Sequence, residues 1–280
     1  MKKTLVLLLL LFSFSTFAQR LERRLEYTAE LIEKGQYQEA QIQLERIIRK
    51  DDGIARAQHQ LSLCYFYQGQ VEKSLANAIE SVKLDDDNAD YIAHLGNVYY
   101  NRATIDKALQ YWQNALLFDS TNTSALLGLS DHYTEQDSFE HALELLKQIN
   151  AKTQKSIDWK YRRALCNQGL GNYKLAIQDY NYCIKENAID ELSMYHKSLC
   201  YLGLYNYDSM AISVEDLISL NANQAEYFYL LGYASEKQDL FSKAEFNYKK
   251  AISLDGDNVE YQSAYIRAKA LNRENDMHDE

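Results

Sequence analysis

The sequence predicts an all-α protein, a right-handed α-solenoid superhelix built from helix-turn-helix repeats. Three observations predict it. Small and aromatic residues return every 34 residues from Leu21 to Asn258, with no insertion or deletion. Within each interval the apolar residues recur at spacings of three and four, in two runs parted by a short break, which is the period of a helix and not of a strand. A lone helix pair of this length cannot bury its apolar faces, so it needs copies of itself on both sides.

The N-terminus stands apart from the repeats. Lys2 and Lys3 precede an apolar run from Leu5 to Phe12 that continues to Phe17, and Thr16-Phe17-Ala18 places small residues where a signal peptidase reads. This pattern predicts a secretory signal peptide over residues 1–18, with Gln19 as the new N-terminus. Its apolar core is short for a membrane span. No cysteine lies near the cut, so the lipoprotein form of the signal is not matched, and the chain is expected to be periplasmic or secreted. Removing Lys2 and Lys3 from the 30 basic residues leaves about 28 against 40 acidic ones, a mature charge of about −12. A surface of that sign repels phosphate backbones and anionic lipid, which argues against nucleic acid or membrane-surface partners. No second long apolar run occurs, so no membrane insertion is expected after signal cleavage. Proline is absent and glycine scarce, leaving no visible linker and one elongated domain, residues 19–271.

Seven repeats follow, at 21–54, 55–88, 89–122, 123–156, 157–190, 191–224 and 225–258. Position 20 of each carries Ala40, Ser74, Ala108, Ala142, Ala176, Met210 and Ala244. Position 8 is small throughout: Thr28, Ser62, Gly96, Ser130, Ala164, Ser198 and Gly232. Position 17 is aromatic or β-branched, as in Tyr37, Ile105, Phe139 and Phe241. Small residues at positions 8 and 20 let two helix axes come close, and the larger one at 17 fills the space beside them. Residues 89–122 show the pattern most fully, with Leu95, Gly96 and Tyr99 on the first helix and Ala108, Trp112 and Ala115 on the second.

These residues resemble the tetratricopeptide repeat family, whose signature is an aromatic, Leu-Gly and Tyr on one helix and Ala on the next. The resemblance covers residues 21–258 and implies a non-enzymatic scaffold that binds a protein or peptide segment in a concave groove. The family's proline near position 32 is missing throughout; Asp52, Asp86, Ser120, Ala188, Ala222 and Gly256 stand there. Position 34 compensates with helix N-caps, namely Asn88, Asn122, Ser156, Asp190 and Asn258, while Ile54 and Gln224 leave two junctions without one. Repeat five departs furthest, with Arg163 in place of leucine and Asn167 in place of tyrosine. The polar stretch Asn150–Lys155 before it reads as a looser joint. Residues 259–271 read as a capping helix, which solenoids need, and 272–280 as a disordered acidic tail.

No catalytic constellation assembles from the sequence. Cys64, Cys166 and Cys200 share position 10 on different repeats, too far apart to bridge, and only Cys183 is placed to approach Cys200. Small buried thiols are the commoner outcome. The histidines show no metal-ligand spacing on one helix turn, and neither a phosphate loop nor a nucleophile elbow occurs. No cofactor and no metal are expected.

In the family resembled, the first helix of each repeat lines the groove. Position 5 there carries Tyr161, Tyr195 and Tyr229, a ladder of phenols in three successive repeats, bordered by Tyr233, Arg162 and His196. Toward the N-terminus the same surface is expected to show Tyr67, His94, Asn97, Tyr100, Asn101 and Asp131. Tyrosine offers contact area and a hydroxyl at small entropic cost, and the Asn97 amide has the donor and acceptor needed to hold a peptide bond. Two other readings of the ladder stand beside this one. It is also what packing between neighbouring first helices would look like, and aromatic ladders stack on sugar rings, so a glycan or cell-wall fragment is the alternative ligand. The basic clamp with which chaperone-binding family members grip a terminal carboxylate is absent, since position 5 carries no Lys or Arg.

Overall fold

The computed structural model describes residues 2–149, 153–187 and 190–278. Among them there are fifteen α-helices, one 3₁₀ turn and no strand. The chain divides into two compact units, Met1–Leu129 and Ser130–Glu280. In the first, the helices are α1 (Lys2–Glu33), α2 (Tyr37–Ile48), α3 (Ala55–Tyr67), α4 (Val71–Leu84), α5 (Ala89–Asn101) and α6 (Ile105–Phe118). α7 (Thr123–Glu135) contains the division point. The second unit continues with α8 (Phe139–Gln148), the 3₁₀ turn Thr153–Lys155, α9 (Ile157–Gly169), α10 (Tyr173–Glu186), α11 (Glu191–Gly203) and α12 (Tyr207–Leu220). It ends with α13 (Ala225–Glu236), α14 (Phe241–Leu254) and α15 (Val259–His278). Within each unit, successive helical hairpins stack.

The close approach inside each hairpin follows from the residues at positions 8 and 20. Ala40, Ala108, Ala142, Ala176, Met210 and Ala244 are all fully buried. In the first unit Trp112 lies between two glycines. A Cβ on Gly96 would stand 2.6 Å from its ring, and one on Gly128 would stand 2.4 Å from it. In the second unit Gly232 meets Tyr248 in the same way, at 2.7 Å. Where position 8 is serine, the hydroxyl turns inward. Ser62 Oγ donates to the Ser74 carbonyl at 2.8 Å, so a buried polar group crosses the helix pair with its bond satisfied.

The turn inside each repeat is set by the backbone. Position 15 is left-handed in every repeat: Gly35, Gly69 and Gly171 have φ of 71–73°, and Ala103, Asp137, Tyr205 and Asp239 have φ of 53–58°. The Ala103 N–H donates to the Tyr100 carbonyl at 2.8 Å, and the Thr104 N–H to the Tyr99 carbonyl at 2.9 Å. This is a Schellman ending, in which a left-handed residue turns two N–H groups back onto orphan carbonyls of the last turn of the helix.

The five predicted N-caps all form. Asn88 accepts from the Asp90 and Tyr91 N–H groups, Asn122 from Ala125, Ser156 from Trp159, Asp190 from Ser193, and Asn258 from Glu260 and Tyr261. Ile54 and Gln224 provide no side-chain cap. Each cap supplies about 1 kcal/mol, which is enough to start a helix without the missing proline.

Repeat five keeps the fold by exchanging apolar contact for charge. Arg163 donates Nε and Nη2 to Asp179, both at 2.6 Å, while the Asp179 side chain is only 4% exposed. Lys160 approaches the same carboxylate at 3.3 Å, and the Arg163 guanidinium lies 4.6 Å from the centre of the Trp159 ring. Asn167 donates to the Arg163 carbonyl one turn back. The polar residues at leucine and tyrosine positions are therefore one network with its partners in place.

Three boundaries differ from the sequence reading. α1 is continuous from Lys2 into the first repeat, ending at Glu33, because nothing between Gln19 and Leu21 breaks a helix. α15 continues past Leu271 to His278, and the Asn272 amide donates to Glu245 at 3.1 Å. The expected loose joint reduces to the 3₁₀ turn Thr153–Lys155, with Asn150, Ala151 and Lys152 outside the described residues. The last two residues of the expected tail are also outside them. Cys64, Cys166, Cys183 and Cys200 are all free and fully buried.

The left-handed turn residues generate a direct test. Ala103→Gly removes the Cβ penalty at φ 55° and is expected to raise stability by about 1 kcal/mol. Gly69→Ala, at φ 71° with nothing near the added methyl group, is expected to lower it by a similar amount. Urea midpoints of the two variants check both signs.

Candidate functional site

The tyrosine ladder of the second unit is built from one face of α9, α11 and α13. Each of these is the first helix of its repeat, so position 5 recurs on the same side. The hydroxyls of two of the three are committed. Tyr195 donates to Glu226 at 2.5 Å, and Tyr229 donates to Glu260 at 2.6 Å. In both cases the acceptor is the residue at position 2 of the next repeat, 31 residues on. These bonds tie α11 to α13 and α13 to α15. The rings make further contacts across the stack: Tyr195 lies 6.1 Å from Tyr227, and Tyr229 lies 5.0 Å from Tyr261 and 5.7 Å from Tyr248. Tyr161 meets Tyr180 and His196 edge-on, each at 6.0 Å.

All three phenols stay half-buried and protonated. Burial is the main cause and pushes the Tyr161 hydroxyl up to about 12. For Tyr195 and Tyr229 burial raises the pKa first, and the bonds to Glu226 and Glu260 raise it further. The Tyr195 and Tyr229 hydroxyls therefore remain donors to their carboxylates at any physiological pH. Arg162 sits beside the ladder and is equally committed. It forks onto Asp131 at 2.6 and 2.8 Å and also bonds Asp158 one turn away. Tyr233 packs edge-on to Tyr207 at 6.2 Å, with the Lys237 ammonium 5.3 Å from the centre of its ring. The ladder thus combines two readings of the sequence. It packs neighbouring helices together, and it leaves a face of fixed rings rimmed by Glu226, Glu260 and Asp158, all exposed.

In the first unit the expected surface separates into exposed and interior parts. Tyr67 is 56% exposed and stacks on Tyr37 at 4.9 Å; Asn101 is exposed; Tyr100 tilts against Trp112 at 5.2 Å. His94 is not on the open face. It is buried, and its Nε2 lies 2.8 Å from Ser62 Oγ, because the small side chain at position 8 of the preceding repeat leaves room for an imidazole to turn inward. Asn97 is also engaged. It accepts from Trp112 Nε1 at 2.8 Å and donates to Ser124 at 2.9 Å, so its amide links helices instead of offering itself to a peptide. His59 stacks on Tyr91 at 4.6 Å and stands edge-on to His94 at 5.1 Å. Burial holds the His59 imidazole down at about 4, against a small opposing pull from Asp90, and depresses His94 further.

Sequence reasoning missed Glu226 and Glu260. The signal was present: both fall at position 2, one repeat beyond a ladder tyrosine. Among the described residues no group of His, Cys, Asp or Glu is arranged to hold a metal ion.

Comparison with known proteins agrees with this architecture. The tetratricopeptide repeat family is matched at residues 225–258. No curated protein matches the chain. A tetratricopeptide repeat protein from Parabacteroides merdae ATCC 43184 is similar at 18% identity and TM-score 0.54, covering 89% of this chain and 98% of its own. PilF of Pseudomonas aeruginosa is similar at 18% identity and TM-score 0.63, covering 76% and 96%. YrrB, described as a tetratricopeptide repeat protein with an unusual peptide-binding site, is similar at 18% identity and TM-score 0.60, covering 69% and 97%.

The buried histidines predict a pH dependence. A histidine whose folded pKa lies below its unfolded value binds fewer protons when folded, so it favours the folded state at neutral pH and loses that contribution as pH falls. Stability is expected to drop between about pH 6.5 and pH 4, with His59 contributing up to ~3 kcal/mol and His94 acting in the same direction. His59→Phe is expected to flatten this window in chemical denaturation series at successive pH values; an unchanged slope would remove His59 as its cause. With residues 225–258 matched and the described helices stacked as in these structures, the chain is a solenoid of tetratricopeptide-like helical hairpins.

Proposed function

We propose that the chain is an exported, non-enzymatic scaffold that holds a segment of another protein against the face carrying Tyr161, Tyr195 and Tyr229. The observation that supports this is the fixing of Tyr195 and Tyr229 by Glu226 and Glu260. An aromatic surface already held in one geometry loses little entropy when a partner binds, which favours recognition. The exposed carboxylates beside the rings fit a partner segment that carries positive charge, and tyrosine faces attract cations as well. The peptide-binding site of YrrB is a precedent in a similar fold. Export rests on the Lys2-Lys3 pair, the apolar run Leu5–Phe17 and the small residues around Ala18.

Affinity capture from an envelope extract tests the binding role. A protein retained by the wild type is expected to be lost by at least tenfold in Tyr195→Ala/Tyr229→Ala, with helix content unchanged. Retention on insoluble glycan with no protein partner would replace this reading with carbohydrate recognition. Export is tested separately, by mass spectrometry of the mature chain: an N-terminus at Gln19 is expected, and an intact Met1 in the envelope fraction would refute signal cleavage.

A further inference from the structure

Nine of the eleven arginines fall into two classes; Arg49, which donates to the Glu45 carbonyl, and Arg273, near the C-terminus, stand outside them. Those from Arg56 to Arg267 each pair with a carboxylate: Arg56 with Glu22, Arg102 with Glu72, Arg162 with Asp131, Arg163 with Asp179 and Arg267 with Glu236. In the first two helices, Arg20, Arg23, Arg24 and Arg46 form no ion pair among the described residues, and neither does Lys50. A cavity of about 240 Å³ lies where α1 passes the C-terminal end of α2, and Arg20, Arg24 and Lys50 line it. Its floor is apolar, made by Leu21, Ile47 and Ile54. Asp51 is the one carboxylate in its lining, and one of its oxygens accepts from the Gly53 N–H at 3.1 Å.

Three cations against one carboxylate, over an apolar floor, fit an anion that carries hydrocarbon beside its charge. We propose that this cavity binds the phosphate of an anionic phospholipid and docks the N-terminal end of the chain on a membrane surface. The position of the cavity on α1 supports the choice of occupant. The same continuous helix carries the apolar run Leu5–Phe17 directly before Arg20. Thirteen helical residues span ~20 Å, short of the ~30 Å hydrocarbon core of a bilayer. A helix with cations at both ends of such a run lies in the interface plane, which keeps Lys2, Lys3, Arg20 and Arg24 at the height of the headgroups, with Lys50 beside them. The net negative charge of the chain does not oppose this. Exposed charges farther away than about 10 Å are largely screened at physiological salt, so a headgroup senses the local cluster. After cleavage of a leader the cluster would remain on the new N-terminus as a peripheral contact.

The test is co-sedimentation of the full chain with vesicles of phosphatidylcholine, with or without one third phosphatidylglycerol, in about 0.1 M salt. Lys2 and Lys3 of the leader would themselves favour anionic vesicles, so every chain compared, the reference wild type included, carries K2Q/K3Q, and the preference between vesicle types then isolates the cations of the cavity. The wild type is expected to prefer the anionic vesicles by roughly 100-fold, since each basic side chain at such a surface contributes about fivefold. R20E/R24E/K50E and the neutral R20Q/R24Q/K50Q are both expected to lose that preference with helix content unchanged; the neutral variant decides if charge reversal disturbs folding. No preference in the wild type, or a preference that survives both variants, overturns the proposal. Abolition of the preference by millimolar inorganic phosphate would also overturn it, identifying a site for free anions instead of a lipid surface. None of these readouts depends on the tyrosine ladder, so failure here leaves the scaffold reading untouched.

Discussion

Everything in this structure depends on how closely the two helices of each hairpin approach. Alanine, serine or glycine at the crossing lets the backbones come near enough for one large ring to close the gap, as Trp112 does between Gly96 and Gly128. A core built this way is tolerant along the chain and strict across it. Residues facing water vary freely from repeat to repeat, while one extra methyl group at Gly96 or Gly128 would have to displace an indole that is only 1% exposed. Stability is then mostly a sum over neighbours, and no single distant contact is needed to hold the stack together.

The same constraint explains why so much polar chemistry is consumed internally. Once the hairpins nest, side chains on the first helices reach the next repeat at a fixed offset. Tyr195 meets Glu226, Tyr229 meets Glu260, and Arg162 meets Asp131. Each bond lies along the stack and joins first helices that are not neighbours in sequence. A surface organised like this is rigid before any partner arrives, so its selectivity comes from shape and charge already in place. Repeat five shows the limit of the logic: Arg163 and Asp179 replace an apolar contact by an ion pair in which the carboxylate is buried and the guanidinium reaches solvent, with Lys160 on the same carboxylate.

The fold was legible because its signal is periodic. Small residues at two positions and caps at a third, each recurring at one interval, define helix boundaries and register together. The turns were less legible. Three of the seven left-handed positions are glycine, but Ala103, Asp137, Tyr205 and Asp239 occupy the others, and nothing local in those residues announces φ near 55°. Two differences at the candidate site have one cause. His94 and Asn97 were assigned to the open face from helix position alone, whereas their directions depend on space left by Ser62 and a donor offered by Trp112. Repeat five looked defective because Arg163 and Asp179 are 16 residues apart, and a pattern read one column at a time does not join them.

The four thiols carry a consequence for how the chain must mature. Burial raises Cys64 and Cys200 to about 12 and Cys183 to about 11, so in the folded protein almost no thiolate is available to oxidants. That protection exists only once the hairpins have closed. In an oxidising compartment an unfolded chain would present ordinary cysteines to disulfide-forming catalysts, and a bridge made then would block the nesting that hides them. Local contacts and short loops allow fast closure. Were the chain to fold in such surroundings, early closure of the hairpins would be what shields its thiols.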